Sequence, residues 1–408
     1  MRITLLLLLV HSTACFRVAV AAQDKSPNVS FTGGLLMLAA IDEVPANSAG
    51  QSARLPLMDE DVLIRVPVKL FGETHYFVVD TGSSVSVIDA SYRDRLVALS
   101  ALGSTDVSLF ETNTAALYRC PELFVAEIRA DLQGVVCVDL GMAKRITGEQ
   151  CDGILGMDFL QNYVVSMDFD KQTLTIGDRV PEDLTKDAAR IPLTRMANNR
   201  VGLPAVLNKT LSSMFLIDSA STSSVCLSNT NWNKLGNPQA RTQRHLSAMI
   251  ENPAAESVKL RLHEMQVGSD DYPNLVCSLS SREDATSDHI GLAFLRRHLV
   301  TLDFPKKVLY LLPGQHFRDA DETDMSGLHL LRDGERTFVY SVDEGSPAAA
   351  AGVKTGDVLV RLNGQNVSAK KMRDIRQQLR AQEGLEVTLE LRRDERPAKI
   401  VFQLKKIL

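Results

Sequence analysis

Residues 77–84 read FVVDTGSS and residues 215–222 read FLIDSAST, so one apolar-apolar-Asp-hydroxyl string recurs 138 positions on. A second landmark follows each: GILGMDFLQNYVVSMDF at 153–169 and DHIGLAFLRRHLVTLDF at 288–304, offset by 135. Two landmarks in one order, with spacings that differ by three residues, make residues 62–178 and 200–313 read as two copies of one unit. Cys137 and Cys277 fall at nearly equivalent places in them. Each copy is rich in strand signals. Val62 to Leu70 and Tyr76 to Val79 carry β-branched and aromatic residues about a turn at Gly72-Glu73. Val164 to Ile176 repeats the arrangement around Asp170-Lys171, as does Leu299 to Leu312 around Pro305-Lys306. Short strands with close turns imply small curled β units.

An aspartate at the end of an apolar strand needs a special setting, because a buried carboxylate is costly unless paired or hydrogen-bonded. Two such loops facing each other about a pseudo-twofold axis would bring Asp80 and Asp218 together. Neighbouring carboxylates cannot both ionise cheaply, so the pair would share one proton. One carboxylate could then activate water while the other protonates a carbonyl oxygen or leaving amine.

At these residues the sequence resembles the aspartic peptidases, specifically the retropepsin-like fold duplicated within one chain. The resemblance rests on Val78-Val79 before Asp80-Thr81-Gly82, with Ile154-Leu155-Gly156 downstream. It implies that Asp80 and Asp218 are the catalytic pair. It also implies that Thr81 and Ser219 hydrogen-bond across the loops and that Ser83 and Ser221 support the carboxylates. The second copy departs from the pattern: Ala220 stands where Gly82 stands in the first, and His289 replaces one of the apolar pair before Gly291. A methyl at 220 is expected to crowd the loop junction or to shift the backbone, if glycine's freedom was needed there. Three readings follow: an aspartic endopeptidase, a catalytically degenerate protein whose lobes are scaffold and whose C-terminal domain binds peptides, or a chain whose first lobe pairs with the first lobe of another copy. No glycine-rich hairpin tip stands out between Ser100 and Leu140, where only Gly103 and Gly134 occur.

Beyond Leu312 the texture changes. Residues 314–326 are polar and acidic and read as a linker with little to pack. From 327 to 408 the sequence resembles a bacterial-type PDZ domain, on Gly327-Leu328-His329-Leu330, Gly345-Ser346-Pro347-Ala348 and Lys354-Thr355-Gly356-Asp357-Val358-Leu359. A helix is expected from about Ala369, with Met372, Ile375 and Leu379 on one face, and strands over Leu385 to Leu391 and Ile400 to Leu404. The resemblance implies strand addition of a peptide, its terminal carboxylate held by backbone N–H groups at Gly327. Leu328, Leu330, Met372, Ile375 and Leu379 would line its apolar pocket, or else pack the core, with His329 on the solvent side. The expected architecture is mainly β: a first lobe at 23–178 with its N-terminal extension, a second at 179–313, and a small α+β domain.

The remaining signals bound partners and location. Arg2, the apolar run Leu5 to Val10 and Ala19-Val20-Ala21 read as a signal peptide over residues 1–22. An exported chain in the periplasm or cell envelope is expected, secretion being the alternative. Ser12-Thr13-Ala14-Cys15 offers a rival reading in which Cys15 is lipidated and the chain is held at a membrane. Without Cys15 five cysteines remain, an odd number, with Cys120 and Cys137 the nearest disulfide candidates and small buried hydrophobes the other reading. The formal charge is −5, from 45 basic and 50 acidic residues, and aromatics make up 5%, which argues against a nucleic-acid partner. No CxxC, HExxH or P-loop motif occurs, so neither metal nor cofactor is expected, and the partners are protein or peptide substrates and peptide C-termini.

Overall fold

The computed structural model describes residues 52–408, apart from 60, 100–106, 109–113, 182–183, 185, 237–240, 245–255 and 281–286. The expected signal peptide and Cys15 lie outside the described residues, as does part of the segment where a glycine-rich tip was sought, Gly103 included.

The first lobe is built on a hairpin of β1 (Ile64–Leu70) and β2 (Glu73–Val79), paired from Arg65↔Val78 to Leu70↔Glu73. The turn falls on Phe71-Gly72, one residue before the expected place, with φ of 53° and 83°. Positive φ at both residues of a two-residue loop matches the right-handed twist of the flanking strands. Next come β3 (Val87–Asp89), β4 (Val135–Val138), helix α1 (Gly141–Thr147) and β5 (Gly153–Leu155). β5 runs parallel to β2, with Ile154 opposite Val78 and Leu155 opposite Val79, and β3 joins β5 to β4. The lobe closes with β6 (Val164–Asp168) and β7 (Thr173–Gly177).

The second lobe pairs its strands in the same order. Its hairpin is β8 (Val201–Leu207) and β9 (Leu211–Ile217); β10 (Val225–Leu227), β11 (Val276–Leu279) and β12 (Asp288–Ile290) follow. β12 lies parallel to β9, and β10 joins β12 to β11. The strands β13 (His298–Asp303) and β14 (Val308–Pro313) end the lobe. β13 pairs with β6 from Val164↔Asp303 to Asp168↔Leu299, which makes one six-stranded sheet beneath both lobes. Ser166 and Thr301 hydrogen-bond at 2.8 Å across that seam. A single buried cluster, including Phe77, Phe159, Phe215 and Phe294, runs through both lobes, so they fold as one body.

Two glycines fix how each aspartate loop lies on its neighbour. At Gly156, after β5, a Cβ would collide with the carbonyl of Val85; at Gly291, after β12, it would collide with that of Ser223. Glycine ends both strings, Ile154-Leu155-Gly156 and His289-Ile290-Gly291, because main chain crosses there at contact distance.

The segment after β14 is pinned to the second lobe, contrary to its reading as a free linker. Gly314 N–H donates to Arg297 O at 2.8 Å, and Phe317 meets Tyr272 and His298 edge-on. Asp321 pairs with Arg297 at 2.6 Å, both side chains 7% exposed. These partners are distant in sequence, so composition alone gave no sign of them.

The C-terminal domain orders its sheet as β15 (Leu328–Asp333), β16 (Arg336–Val342), β17 (Val358–Leu362), then, after helix α2 (Met372–Leu379), β18 (Glu386–Arg393) and β19 (Arg396–Gln403). It has its own core, which includes Met325. Met325 N–H donates to Leu379 O and its carbonyl accepts from Lys405 N, so the domain starts a few residues before 327. The described residues form one compact unit. Among the described residues no helix is long and apolar enough to cross a membrane. Cys120 and Cys137 are free thiols, as are Cys151, Cys226 and Cys277, so the expected pairing is absent.

Candidate active site and peptide groove

Asp80 follows the last residue of β2 and Asp218 the last residue of β9. Each is held by the parallel strand beside it: Asp80 N–H donates to Leu155 O at 3.1 Å and Asp218 N–H to Ile290 O at 2.9 Å. Each carboxylate is then clasped by its own loop. Asp80 Oδ1 accepts from Gly82 N at 2.8 Å and Ser83 N at 3.0 Å; Asp218 Oδ1 accepts from Ala220 N at 2.9 Å and Ser221 N at 3.0 Å.

The loops lock together through the intervening hydroxyls. Thr81 Oγ1 donates to Ile217 O at 2.8 Å and accepts from Ser219 N at 3.1 Å. Ser219 Oγ donates to Val79 O at 2.7 Å and accepts from Thr81 N at 3.0 Å. Thr81 and Ser219 are fully buried, so each hydroxyl satisfies main chain that water does not reach. A Cβ built on Gly82 would lie 2.7 Å from Asp218 Cγ, so the second carboxylate stands directly over the first loop.

Ser83 and Ser221 meet the carboxylates through their backbone N–H groups. Ser83 Oγ donates instead to Val85 O at 2.8 Å. The expected crowding at Ala220 is absent. Its loop repeats the hydrogen bonds of the glycine loop to within 0.1 Å, and its φ lies outside the left-handed region. The methyl packs against an apolar patch of the first lobe formed around Val78, Val87 and Leu140.

Burial, and then the charge of Asp218, push Asp80 up to about 7, against the N–H groups of Gly82 and Ser83 and the Arg200 guanidinium, which favour its anion. His289 sits half-buried on β12, opposite Cys226 in the ladder. Burial opposes its charge, but Cys226, Asp218 and Asp288 outweigh that and raise it to about 9. The apolar Ile154 of the first lobe is thus matched by a titratable imidazole that feels the charge of Asp218.

Sequence reasoning missed Asp158. Its carboxylate accepts from Ser86 N at 2.8 Å and Ser86 Oγ at 2.7 Å, while Ser86 Oγ accepts from Gly156 N at 3.1 Å. It ties the chain leaving the Asp80 loop to the glycine beneath it. The signal was an acidic residue two positions after Gly156, where Ala293 stands two positions after Gly291.

In the C-terminal domain the loop expected to hold a terminal carboxylate already holds one. Asp324 Oδ1 accepts from Ser326 N at 2.9 Å and Gly327 N at 2.6 Å, and Leu328 N donates to Ser326 Oγ at 3.1 Å. Leu328, Leu330, Met372, Ile375 and Leu379 are buried in the domain's own core. His329 is not a solvent-side residue, since its Nε2 pairs with Asp343 Oδ1 at 2.8 Å. Among the described residues no group of three or more His, Cys, Asp and Glu side chains is placed to hold a metal.

Residues 66–159 match the family described as aspartyl protease, and residues 338–393 match the PDZ domain family. The chain therefore carries an aspartyl protease domain, with a PDZ domain near its C-terminus. Curated proteins described as probable CtpA-like serine protease, from Staphylococcus aureus strains COL and N315, are each 28% identical over 81 residues. That stretch is 20% of this chain and 16% of theirs, so the chain spans about 16% of the length of the curated relatives it matches. The crystal structure of aspartic proteinase from Irpex lacteus aligns at a TM-score of 0.43 and 15% identity, over 66% of this chain and 99% of that one.

Proposed function

We propose that this chain is an exported aspartic endopeptidase whose Asp80 and Asp218 activate water for peptide-bond hydrolysis. The observation that carries the reading is the reciprocal lock between the two loops: Thr81 and Ser219 bond across, and each carboxylate takes two N–H groups of its own loop. This arrangement fixes the carboxylates before substrate arrives. Asp80, raised to about 7, holds the shared proton, and Asp218 acts as base. Water loses a proton to Asp218 as its oxygen adds to the scissile carbonyl carbon, and Asp80 protonates the carbonyl oxygen. When the tetrahedral adduct collapses, the C–N bond breaks, the amine leaves with the proton that Asp218 took up, and one hydroxyl of the adduct returns its proton to Asp80.

The lock within one chain favours this reading over pairing of first lobes between two copies. Export rests on Arg2, the Leu5 to Val10 run and Ala19-Val20-Ala21. The PDZ domain supplies a second peptide site, at which a terminal carboxylate would have to displace Asp324.

The test is hydrolysis of a mixed peptide substrate from pH 4 to pH 8 by wild type, Asp80→Asn and Asp218→Asn. A bell-shaped profile lost in both variants is expected. Full activity in Asp218→Asn would point to pairing between copies. Absence of hydrolysis by wild type at every pH would leave a peptide-binding protein.

A further inference from the structure

The face of the PDZ domain where a peptide would add, between the free edge of β15 and helix α2, is covered by helix α1 of the first lobe. α1 packs against both elements. Its C-terminal Gly148, at φ 69°, sits between them: a Cβ there would lie 2.8 Å from Met372 Cγ and 3.0 Å from Arg332 Cδ. Arg376 on α2 donates through Nη2 to the Ile146 carbonyl at the end of α1. One turn on, Arg380 pairs with Asp61, whose carbonyl accepts from Arg296 of the second lobe at 2.6 Å. First lobe, second lobe and PDZ domain meet at that node.

Arg376 is poorly served by this arrangement. Its Nη1 is buried and has no hydrogen-bond partner among the described residues. Its Nη2 meets a neutral carbonyl where a guanidinium prefers a carboxylate taken with both nitrogens. Arg332, by contrast, spends its donors inside the domain, on Thr337 Oγ1, Lys370 O and Val367 O. The groove therefore offers Arg376 and Arg380 to an incoming anion, and the Met372, Ile375 and Leu379 side chains only as core.

We propose that the PDZ groove is a binding site for an acidic peptide segment, held shut by α1, so that peptide binding and docking of the first lobe exclude each other. A peptide carboxylate on Arg376 replaces the Ile146 carbonyl, and a second on Arg380 replaces Asp61. Release would be felt at the candidate active site. Leu140 and Ala143, at the start of α1, and Cys151, beyond it, pack in one cluster with Val78, two residues before Asp80. The inference rests on the PDZ fold and the docking geometry, and holds whether or not the carboxylate pair turns over.

The full chain is titrated with a ten-residue peptide alternating glutamate and valine, and with its glutamine counterpart. Hydrogen exchange is followed at residues 141–148. Loss of charge-assisted hydrogen bonds should weaken the glutamine peptide at least about tenfold. Saturating acidic peptide should speed exchange across α1. Asp61→Asn, which keeps a residue that tolerates its φ of 73°, should bind the acidic peptide several-fold more tightly because Arg380 is released. Arg376→Gln should lose most of that affinity; if this variant misfolds, the Asp61→Asn comparison still decides. Equal binding of the two peptides overturns the acidic preference. Undisturbed exchange of α1 at saturation, or unchanged affinity in Asp61→Asn, overturns the exclusion.

Discussion

At the scale of single residues, the raised Asp80 carboxyl has a consequence for stability as well as for chemistry. Above pH 4 an unfolded aspartate releases its proton, while folded Asp80 keeps its own until about 7. The folded state therefore binds more protons through this window, and stability falls as pH rises through it. Relative to Asp80→Asn, wild type should lose up to about 1.4 kcal/mol per pH unit between pH 4 and pH 7. Urea denaturation of both proteins at pH 4.5 and 6.5 measures this, and parallel midpoints would contradict it. Each Asp→Asn change should also reduce hydrolysis by at least about a hundredfold, the usual share of a positioned acid or base. Ala220 leads to the opposite expectation from the crowded loop that its place in the motif suggests. Its methyl packs on the first lobe, so Ala220→Gly should cost about 1 kcal/mol and leave kcat no higher. A clear rise in rate would show that the methyl obstructs the site.

At the scale of elements, the crossing of each aspartate loop over its glycine is a tight constraint. Gly156→Ala and Gly291→Ala each place a methyl against main chain that has no side-chain freedom to yield. Each should lower stability by about 1–3 kcal/mol, the common cost of overpacking. The two should differ in their effect on the neighbouring carboxylate. Gly156 N–H is tied to Ser86 and through it to Asp158, whereas Gly291 N–H meets only the Ser224 carbonyl. Gly156→Ala should therefore move the acidic limb of the pH–rate profile further than Gly291→Ala does. Matching shifts would show that Asp158 positions nothing near Asp80.

At the scale of the whole molecule, the segment 314–326 acts as a strap rather than a tether. The Arg297–Asp321 pair is buried on both sides, and removing one partner of such a pair leaves an uncompensated charge. Asp321→Ala should destabilise the protein by about 3 kcal/mol, with thermal unfolding of the two-lobe body as the readout. A surface-like loss of a few tenths would place the strap in solvent. The PDZ core is separate from that of the lobes, so residues 324–408 should fold alone, provided that Met325 is kept. A fragment beginning at 327 lacks both Met325 and the Asp324 carboxylate that caps Ser326 and Gly327, and should melt at a lower temperature. Circular dichroism of the two fragments compares them directly.

Sequence alone determined which strands end in aspartates and that a different domain follows Leu312. These properties are local: apolar strands of period two, hydroxyls beside carboxylates, and glycines at crossings leave their mark within a few residues. Only the tertiary structure decided that Ala220 packs instead of clashing and that Asp324 occupies the Gly327 loop. It likewise decided that Phe317 and Asp321 bind the strap down and that α1 lies over β15 and α2. Each of these depends on a partner whose identity is set by the path of the chain through space. Arg376 meets the Ile146 carbonyl 230 positions away, and no pattern around either residue encodes the other.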